Sequence, residues 1–264
     1  MGGAAQMILT VDIGNTTIQL GVIAGNQIQD RWRLQTNRLK LSDEYAVQIF
    51  ELFRLNNVVV SGFEAVVVSS VVPSAGREFT AMCRRYLEIE PIVVSPDLDL
   101  GIDLRVDQPE EIGADRITTA IAAFSEYGGP LIVVDFGTAT TFDAVAEDGA
   151  YLGGVIVPGI QISMNALFDQ AALLSRVDLS MPPQVIGTTT KSCIQSGFYF
   201  GFLCQMEGII DRIKTELNTE VKVIATGGLS SLIADSSVKI DVVDPDLMIK
   251  GLYTIFRRIQ KKNR

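Results

Sequence analysis

Two short stretches of the chain join a carboxylate to a cluster of glycine and hydroxyl residues. Residues 8–17 read ILTVDIGNTT and residues 132–141 read IVVDFGTATT, so each apolar run ends at one aspartate, Asp12 or Asp135. A glycine at such a bend lets successive N–H groups point to one place, where Thr and Asn side chains add neutral donors. A turn of this kind can bind phosphate oxygens, while its carboxylate would hold Mg²⁺, a magnesium-bound water or a monovalent cation.

Each motif alone also fits a plain hairpin turn, in which Asp caps backbone N–H groups and Thr favours strand. Two copies with the same order of residues favour phosphate binding. A third glycine-rich stretch, Thr226-Gly227-Gly228, follows a predicted buried strand and would suit an adenine or ribose, or a plain strand–helix turn. The sequence has neither GxxxxGK[ST] nor GxGxxG, which argues against a P-loop enzyme and a dinucleotide-binding fold.

The elements around the two motifs predict a duplicated α/β fold. Gly25 and Asp148 each lie 13 residues after the aspartate of their motif, and each begins a Gly-Asn or Asp-Gly pair that suits a tight hairpin. Three strands are therefore predicted in each half, followed by alternating helices and strands as βββαβαβα. We predict two domains, 7–128 and 129–264, facing each other across a cleft that both motifs line.

Periodicity and capping signals give the remaining elements. Helices are predicted at 42–57 with Ser42 as the cap, at 74–89, from about Asp115 onward, at 162–177, over most of 191–217, after Gly228 and at 246–259. Strands are predicted at 65–72, 91–95, 220–228 and 238–243. The folded chain is expected to begin near Met7, after a leader or cloning remnant with the sequence MGGAAQ.

The segment Gly113-Ala114-Asp115-Arg116 opens an apolar helix. On one interpretation Asp115 is simply an N-cap, which the helix dipole favours, and Arg116 lies on the surface. On the other, Asp115 accepts the proton of a substrate hydroxyl, while Arg116 and the helix N-terminus bind an anionic group of that substrate. An ordinary Asp pKa of about 3.9 suffices for this role, because phosphoryl transfer passes through a loose transition state and the proton can leave late.

Composition excludes several classes of protein. The chain has no histidine, so a general base must be Asp, Glu, Lys, Tyr or Cys, and its net charge of -9 argues against nucleic acid as a partner. Cys83, Cys193 and Cys204 form no CxxC pair, which argues against a disulfide framework and fits a reducing cytoplasm. No apolar run reaches about 18 residues, so no membrane segment is predicted.

Taken together, the motifs resemble those of the type III pantothenate kinases. In the order and spacing of that family the chain carries DIGNTT (12–17), GADR (113–116), DFGTATT (135–141), GGVIVPG (153–159), GTTTKSCIQSGFYFG (187–201) and TGG (226–228). The resemblance implies ATP-dependent phosphorylation of pantothenate, the first step of coenzyme A biosynthesis. It also implies the duplicated ribonuclease-H-like fold of acetate kinases, sugar kinases and actin, and a cytoplasmic homodimer.

The resemblance further implies roles for individual residues. The ATP-binding residues would be Asp12, Ile13, Gly14, Asn15, Thr16, Thr17, Gly137, Thr138, Gly227 and Gly228. Asp12 would hold Mg²⁺ through water, and Asp135 would bind a monovalent cation, K⁺ or NH₄⁺. Asp115 would be the catalytic base. The pantothenate pocket would include Gly113, Ala114, Asp115, Arg116 and Thr190, with Val106 at a place where many members carry an aromatic residue. GGVIVPG and the helix after it match the family's dimer contact.

Two rival functions stay open on the residues alone. One is a different small-molecule kinase of the same superfamily, acting on a sugar or a hydroxy acid. The single carboxylate and single arginine of GADR suit a hydroxy acid better than a sugar with several hydroxyls. The other rival is a regulatory protein that binds nucleotide without catalysing transfer. The presence of both motif aspartates and of GADR argues against such a loss of activity.

Overall fold

The structure is a computed structural model that describes residues 6–95, 98, 100–171 and 174–262. Its strands are β1 (Met7–Ile13), β2 (Thr17–Ala24), β3 (Gln27–Gln35), β4 (Phe63–Ser70), β5 (Ile92–Val93), β6 (Leu131–Phe136), β7 (Ala139–Val145), β8 (Tyr151–Pro158), β9 (Lys222–Gly227) and β10 (Val242–Val243). Its helices are α1 (Ser42–Leu55), α2 (Pro73–Met82), α3 (Ala114–Tyr127), α4 (Ile160–Gln170), α5 (Thr190–Leu217), α6 (Ser230–Ala234) and α7 (Leu247–Lys262). Most of the predicted leader MGGAAQ lies outside the described residues.

By their internal contacts the described residues form two compact units. Unit 1 comprises the described parts of Met1–Ile102, Asp107–Ala122 and Leu247–Arg264, and unit 2 comprises those of Asp103–Val106 and Ala123–Asp246. The C-terminal helix α7 thus belongs to unit 1, although it ends the second half of the sequence. The predicted domain limits, 7–128 and 129–264, divide the sequence repeat and stay a prediction.

Both units contain a five-stranded mixed sheet with the same strand order. In unit 1 the order is β3-β2-β1-β4-β5, and in unit 2 it is β8-β7-β6-β9-β10. In each sheet the first three strands pair antiparallel, and the first strand also pairs parallel with the fourth. The predicted duplication of three strands followed by alternating helices and strands is therefore confirmed.

The sheet of unit 1 buries one face beneath α1 and α2. Alternate residues of β1, namely Leu9, Val11 and Ile13, point into a core that also contains Phe53 of α1 and Phe79 of α2. The intervening residues point to the opposite face, because side chains alternate along a strand. This alternation places Asp12 on the face that the core does not use.

Helix α7 packs on that opposite face. Gly21 of β2 makes room for it, because a Cβ there would lie 2.7 Å from both Ile249 Cγ2 and Thr10 Oγ1. Thr10 Oγ1 donates a hydrogen bond of 3.1 Å to the Gly21 carbonyl. The polar position in β1 and the glycine in β2 are thus explained by the close approach of the helix.

The hairpin turns form where the sequence predicts them. Gly25 and Asn26, between β2 and β3, have positive φ angles of 57° and 67°, the conformation that a two-residue hairpin needs. Between β7 and β8, Gly149 has a φ of 86° and its N–H donates to the Ala146 carbonyl at 3.0 Å. Asp148 Oδ1 accepts the Ala150 N–H at 3.2 Å, so this turn is longer and is closed partly by a side chain.

The start of α1 differs from the prediction. Ser42 is the first helical residue, and Leu41 occupies the cap position. The Leu41 N–H donates to Glu44 Oε2 at 2.8 Å. The predicted serine cap is therefore wrong, because the acidic side chain three residues along the chain satisfies the backbone at this helix end.

The helices predicted at 74–89 and 162–177 are also shorter in the structure. Helix α2 ends at Met82 and continues as a π-helical turn to Leu87, where Glu88 takes a left-handed conformation with φ of 57°. Helix α4 ends at Gln170, because Ala171 adopts an extended conformation. Residues 172–173 lie outside the described residues, and 174–177 are not helical.

Two edge strands are shorter than the sequence predicts. Strand β10 covers Val242–Val243 of the predicted 238–243, and β5 covers Ile92–Val93 of the predicted 91–95. Each lies at the edge of its sheet, where one neighbour alone defines the strand. Within the described ranges, none of the helices combines the length and the apolar character that crossing a bilayer would require.

Candidate active site

The first candidate turn connects β1 to β2. Asp12 is half-buried near the end of β1. The Gly14 N–H donates to the Thr17 carbonyl at 3.0 Å, which closes the turn and leaves Asn15 and Thr16 exposed. The turn therefore presents an amide and a hydroxyl side chain next to a carboxylate, a combination suited to phosphate and a hydrated cation.

Residues after β3 brace this first turn. Thr36 Oγ1 donates to the Gly14 carbonyl at 2.7 Å, and the Thr36 N–H donates to the Thr16 carbonyl at 2.9 Å. Arg38 Nη2 donates to Asn15 Oδ1 at 3.0 Å, so a guanidinium lies at the turn. Sequence reasoning missed both residues. The available signal was the hairpin itself, since antiparallel pairing returns the end of β3 to the start of β2.

The second candidate turn connects β6 to β7. The Gly137 N–H donates to the Ala139 carbonyl at 3.1 Å, and both Gly137 and Thr138 are exposed. Gly159, which follows β8, donates its N–H to the Thr138 carbonyl at 3.1 Å. A Cβ on Gly159 would overlap that carbonyl and lie 2.6 Å from the Gly137 carbonyl. Glycine is therefore required here unless the turn moves.

Gly159 also caps α4, which begins at Ile160. The N-terminus of this helix consequently adjoins the second turn, and helix N-termini favour anions through their free N–H groups and their dipole. Sequence reasoning connected GGVIVPG with a dimer contact and missed the position of its last residue beside the turn. The duplication could have indicated this position. Strand β8 pairs with β7 as β3 pairs with β2, so the residue after β8 lies beside the second turn as Thr36 lies beside the first.

The Thr226-Gly227-Gly228 stretch lies next to Asp135. Strands β6 and β9 are parallel, with Asp135 opposite Thr226 and Phe136 opposite Gly227. Gly227 has a φ of 92°, and a Cβ there would overlap Asp135 Oδ1 and lie 2.7 Å from backbone atoms of Phe136. The carboxylate is therefore seated against a glycine that no other residue can replace without strain. Ser230 Oγ donates to the Gly227 carbonyl at 2.8 Å and closes the turn into α6.

Asp115 lies in the first turn of α3 and not at its cap. The helix begins at Ala114, and the Gly113 carbonyl accepts the N–H groups of Arg116 at 3.1 Å and Ile117 at 3.3 Å. The interpretation of Asp115 as an N-cap is therefore wrong, because the glycine two residues earlier takes the capping position.

The Asp115 carboxylate is held against its own backbone. Its Oδ1 accepts the Arg116 N–H at 2.9 Å, and a Cβ on Gly113 would overlap the same oxygen. Burial raises the pKa of Asp115, and this outweighs the backbone N–H and the charge of Arg116, which lower it. A partly buried carboxylate with a raised pKa is a stronger base than an exposed one, which suits proton acceptance from a hydroxyl.

Val71 connects the first turn with the Gly113 segment inside unit 1. Its N–H donates to the Ile13 carbonyl at 3.1 Å. Its Cγ1 lies 3.9 Å from where a Cβ on Gly113 would be. The end of β1 and the start of α3 are thus neighbours of one residue just beyond β4, so the phosphate-type turn and Asp115 are fixed to the same part of the unit.

Two further predicted residues belong to unit 2. Thr190 is exposed as the first residue of α5, directly after Thr189, whose Oγ1 accepts the Ser192 N–H and caps the helix. Val106 is half-buried, with its Cγ1 3.7 Å from where a Cβ on Gly153 would lie. Thr190 therefore lies at the start of α5, and Val106 lies in a bend between β5 and α3.

The single carboxylate at each turn suits a cation whose other ligands are water molecules and phosphate oxygens. Nowhere in the described part of the chain do three or more Asp, Glu, Cys or His side chains gather to hold a metal. Mg²⁺ bound with a nucleotide needs only one or two carboxylates, because water and phosphate oxygens complete its shell. Asp12 and Asp135 each offer one carboxylate, and that of Asp135 is seated against Gly227.

Comparison with known proteins gives a consistent family match. The family model described as type III pantothenate kinase matches residues 8–212. A type III pantothenate kinase of Listeria monocytogenes serovar 1/2a is 45% identical over 252 residues, covering 96% of this chain and 97% of the relative.

Solved structures with low sequence identity match the fold. The (R)-2-hydroxyglutaryl-CoA dehydratase component A of Acidaminococcus fermentans has a TM-score of 0.57 at 12% identity, with 96% of this chain and 99% of that chain covered. The inorganic polyphosphate/ATP-glucomannokinase of Arthrobacter sp. strain KM has a TM-score of 0.51 at 14% identity, with the same coverage of 96% and 99%. With the two sheets of equal strand order, these likenesses confirm the predicted duplicated ribonuclease-H-like fold of actin-like ATPases and sugar kinases.

Proposed function

The chain belongs to the type III pantothenate kinase family, and we propose that the two turns and the Gly113 segment carry out the reaction of that family. The protein phosphorylates pantothenate, with ATP as donor, in coenzyme A biosynthesis. The observation that carries this conclusion is 45% identity over 96% of the chain. Each step of the reaction can be assigned to individual residues.

The turn of unit 1 and the turn of unit 2 each bind phosphate oxygens of ATP in this proposal. Exposed Asn15 and Thr16 are the side-chain donors of the first turn, and Thr138 is that of the second. Arg38 adds a positive charge to the first turn. The second turn has instead the N-terminus of α4 beside it. Neutral donors and one guanidinium thus let an acidic protein bind a polyanion locally.

Backbone shape completes the nucleotide site of the proposal. Ile13, Gly14 and Thr17 form the frame of the first turn, and Gly137 that of the second. Gly227 and Gly228 lack side chains at the end of β9, where Gly228 is exposed. We assign these two glycines to the adenosine part of ATP, since a flat ring or ribose can approach bare backbone closely.

Asp12 would hold Mg²⁺ through water, and Asp135 would hold K⁺ or NH₄⁺. Bound Mg²⁺ supplies charge neutralisation at the phosphate groups. The chain's own part is to keep each carboxylate in place, which strand β1 does for Asp12 and the contact with Gly227 does for Asp135. Transfer rates should be higher in potassium buffer than in potassium-free sodium buffer. Equal rates would contradict the role of Asp135.

Asp115 is the proposed catalytic base. Its half-buried carboxylate accepts the proton of the pantothenate hydroxyl late in transfer, because a loose transition state does not require an alkoxide in advance. Arg116 binds the carboxylate of pantothenate, and the family resemblance assigns further contacts with pantothenate to Gly113, Ala114, Thr190 and Val106. Val106 is smaller than an aromatic side chain, so it would leave more room for the substrate.

We also propose a cytoplasmic homodimer. The family resemblance places the dimer contact on GGVIVPG and α4, and this region has exposed apolar side chains to contribute, since Ile156, Ile162 and Leu167 are 59%, 41% and 37% exposed. Three free cysteines, Cys83, Cys193 and Cys204, support a reducing compartment. Sedimentation velocity at micromolar concentration should give a dimer, and a monomer would contradict this part of the proposal.

An acceptor panel tests the function. Pantothenate, several hexoses and a set of small hydroxy acids are offered with ATP, Mg²⁺ and K⁺, and ADP release is followed by a coupled assay. Turnover should occur with pantothenate and stay at background with hexoses. Turnover of a sugar or another hydroxy acid without turnover of pantothenate would refute the assignment, and nucleotide binding without any turnover would favour a regulatory protein.

A further inference from the structure

Ser69, near the end of β4, is a buried hydroxyl that the proposed mechanism does not use. Its side chain is 0% exposed. Among the residues that the structure describes, no group forms a hydrogen bond with its Oγ. Buried polar atoms in folded proteins almost always have a partner, so an exception needs an explanation.

The register of the sheet places Ser69 beside Asp12. Strands β1 and β4 are parallel, and Asp12 is the residue opposite Ser69. Paired residues on neighbouring strands point to the same face of the sheet. Ser69 and Asp12 therefore share the face opposite the core of α1 and α2, at the end of the strands where the first turn begins.

The next residue shows what a serine with a purely structural role does here. Ser70 Oγ donates to the Val72 carbonyl at 3.1 Å and accepts the Val72 N–H at 3.2 Å. It thereby closes the bend that leads into α2. Ser69 has no such local bond, although it lies in the same strand and is more deeply buried.

The second sheet has a hydroxyl at the corresponding place. Strand β9 pairs parallel with β6 in the second sheet, as β4 pairs parallel with β1 in the first. Thr226 of β9 lies opposite Asp135. Thr226 is buried, with 4% of its surface exposed. Each motif aspartate therefore has a buried hydroxyl residue opposite it on the neighbouring parallel strand. Because this arrangement occurs in both sheets, it favours a role of the hydroxyl toward the aspartate over a role in packing at one place.

We propose that Ser69 is a positioning residue for Asp12 when the nucleotide and its Mg²⁺ are bound. Its hydroxyl donates a hydrogen bond to one carboxylate oxygen of Asp12, which leaves the other oxygen directed at a magnesium-bound water. The inference rests on the proposed role of Asp12. It gives a use to a buried hydroxyl that forms no hydrogen bond with the described residues.

The proposal predicts opposite effects on the free and the loaded protein. Replacing Ser69 by Ala removes a hydroxyl that bonds to nothing in the free protein, so the melting temperature without ligand should stay the same or rise. The loaded state loses a hydrogen bond to a metal-holding carboxylate. The Mg²⁺ concentration that gives half of the ATP-induced thermal shift should therefore rise about 10-fold.

The experiment is a thermal denaturation series with ATP at increasing MgCl₂. It compares wild type, Ser69→Ala and Ser69→Cys, which keeps the shape of serine with a slightly larger atom and is a weak donor. Two matched controls are Ser70→Ala, which should lower the melting temperature of the free protein and leave the Mg²⁺ midpoint unchanged, and Thr140→Val. Thr140 Oγ1 is also buried and has no partner among the described residues, but it lies on the same face of β7 as the core residue Phe142, so its removal should not change the midpoint.

Asp12→Asn in the same series separates the two levels of the proposal. Loss of the Mg²⁺-dependent shift in Asp12→Asn together with a raised midpoint in both Ser69 variants is the expected result. A normal midpoint in the Ser69 variants, with the shift lost in Asp12→Asn, would overturn the role of Ser69 alone. A retained shift in Asp12→Asn would overturn the role of Asp12. A fall in ligand-free stability in both Ser69 variants would show that the serine is structural.

Discussion

The turn after β1 and the turn after β6 occupy the same place in the same strand order, yet different chemistry holds each in shape. The first turn has a backbone bond like that of the second, from the Thr36 N–H to the Thr16 carbonyl. Side chains brace it in addition, through the bonds of Thr36 to Gly14 and of Arg38 to Asn15. Backbone braces the second, where Gly159 packs on the Thr138 carbonyl and donates to it. The two turns are thus equivalent in topology, but they should differ in how strongly a substitution of the bracing residue affects them.

The difference arises in the segment that comes after the third strand of each unit. After β3 the chain continues without an α-helix to α1, so Thr36 and, in a short turn, Arg38 pass the first turn. After β8 the chain enters α4 within two residues, so a helix N-terminus and a glycine reach the second turn instead. A duplicated fold can therefore keep one phosphate-binding shape while it changes how that shape attracts an anion.

The strongest test of this contrast replaces the glycine brace of unit 2. Gly159→Ala should lower the free energy of unfolding by about 1–3 kcal/mol, because the new Cβ overlaps the Thr138 carbonyl and the turn has to move. ATP binding should weaken with it. Denaturant unfolding and calorimetric titration with MgATP measure the two effects.

Gly208→Ala is the matched control for Gly159→Ala. It lies on α5, and a Cβ there would meet nothing within 4 Å. Alanine in an exposed helix position should keep or raise stability by up to about 1 kcal/mol. Equal, small effects of both substitutions would show that the close approach of Gly159 to the turn is unimportant.

The side-chain brace of unit 1 should give a milder response. Thr36→Val keeps the shape of the residue and removes the hydroxyl that donates to the Gly14 carbonyl, which should cost about 1 kcal/mol of stability. The KM for MgATP should rise because the first turn loses one restraint, and Thr36→Ser should restore both values. A Thr36→Val variant with wild-type stability and KM would argue that the strand pairing alone holds the turn.

A smaller effect is expected at Arg38. Its side chain is exposed, and exposed charge interactions are worth about 1 kcal/mol or less. Arg38→Ala should therefore raise the KM for MgATP by only a few fold, and the increase should shrink at high salt, while Arg38→Lys should recover part of it. A salt-independent change would mean that Arg38 acts through packing and not through its charge.

The smallest effect concerns Asp115 and the stability of the free protein. Because burial raises the pKa of Asp115 above its unfolded value, the folded state favours the protonated form, and the stability present below the unfolded pKa is lost as pH rises through the folded pKa. Asp115→Asn should thus melt slightly above wild type at neutral pH, with the difference vanishing in acid. A variant that melts below wild type at neutral pH would contradict this sign.

The sequence predicts those parts of the fold that depend on neighbouring residues. The apolar run that ends at Asp12, the turn at Gly25 and Asn26, and the 13-residue spacing repeated at Asp148 are local features, and the structure confirms the duplicated strands that they indicate. The predicted helix 162–177 extends beyond the end of α4, and the predicted strand 238–243 begins before β10. Helix and strand propensity do not show whether a neighbouring element is present to pack against.

The parts of the site that were missed depend on pairing between distant residues. Thr36 lies 22 residues from Gly14, and nothing next to either residue in the sequence signals their hydrogen bond. Ser69 looks like an ordinary strand residue until the parallel register sets it opposite Asp12. The spacing of residues in the sequence therefore identifies the two aspartates and their glycines. The residues that hold these in place can be identified only when the strand pairing of the sheet is known.

The rate of phosphoryl transfer to pantothenate by the Asp115→Asn variant tests most directly the central claim that Asp115 is the catalytic base. Wild type and variant are given pantothenate, ATP, Mg²⁺ and K⁺ at neutral pH, and phosphorylated pantothenate is quantified by mass spectrometry, with MgATP affinity measured on the same samples. The account predicts an unchanged ATP affinity and a turnover lower by about 10²- to 10⁴-fold in the variant. Product formation at the wild-type rate by Asp115→Asn would contradict it.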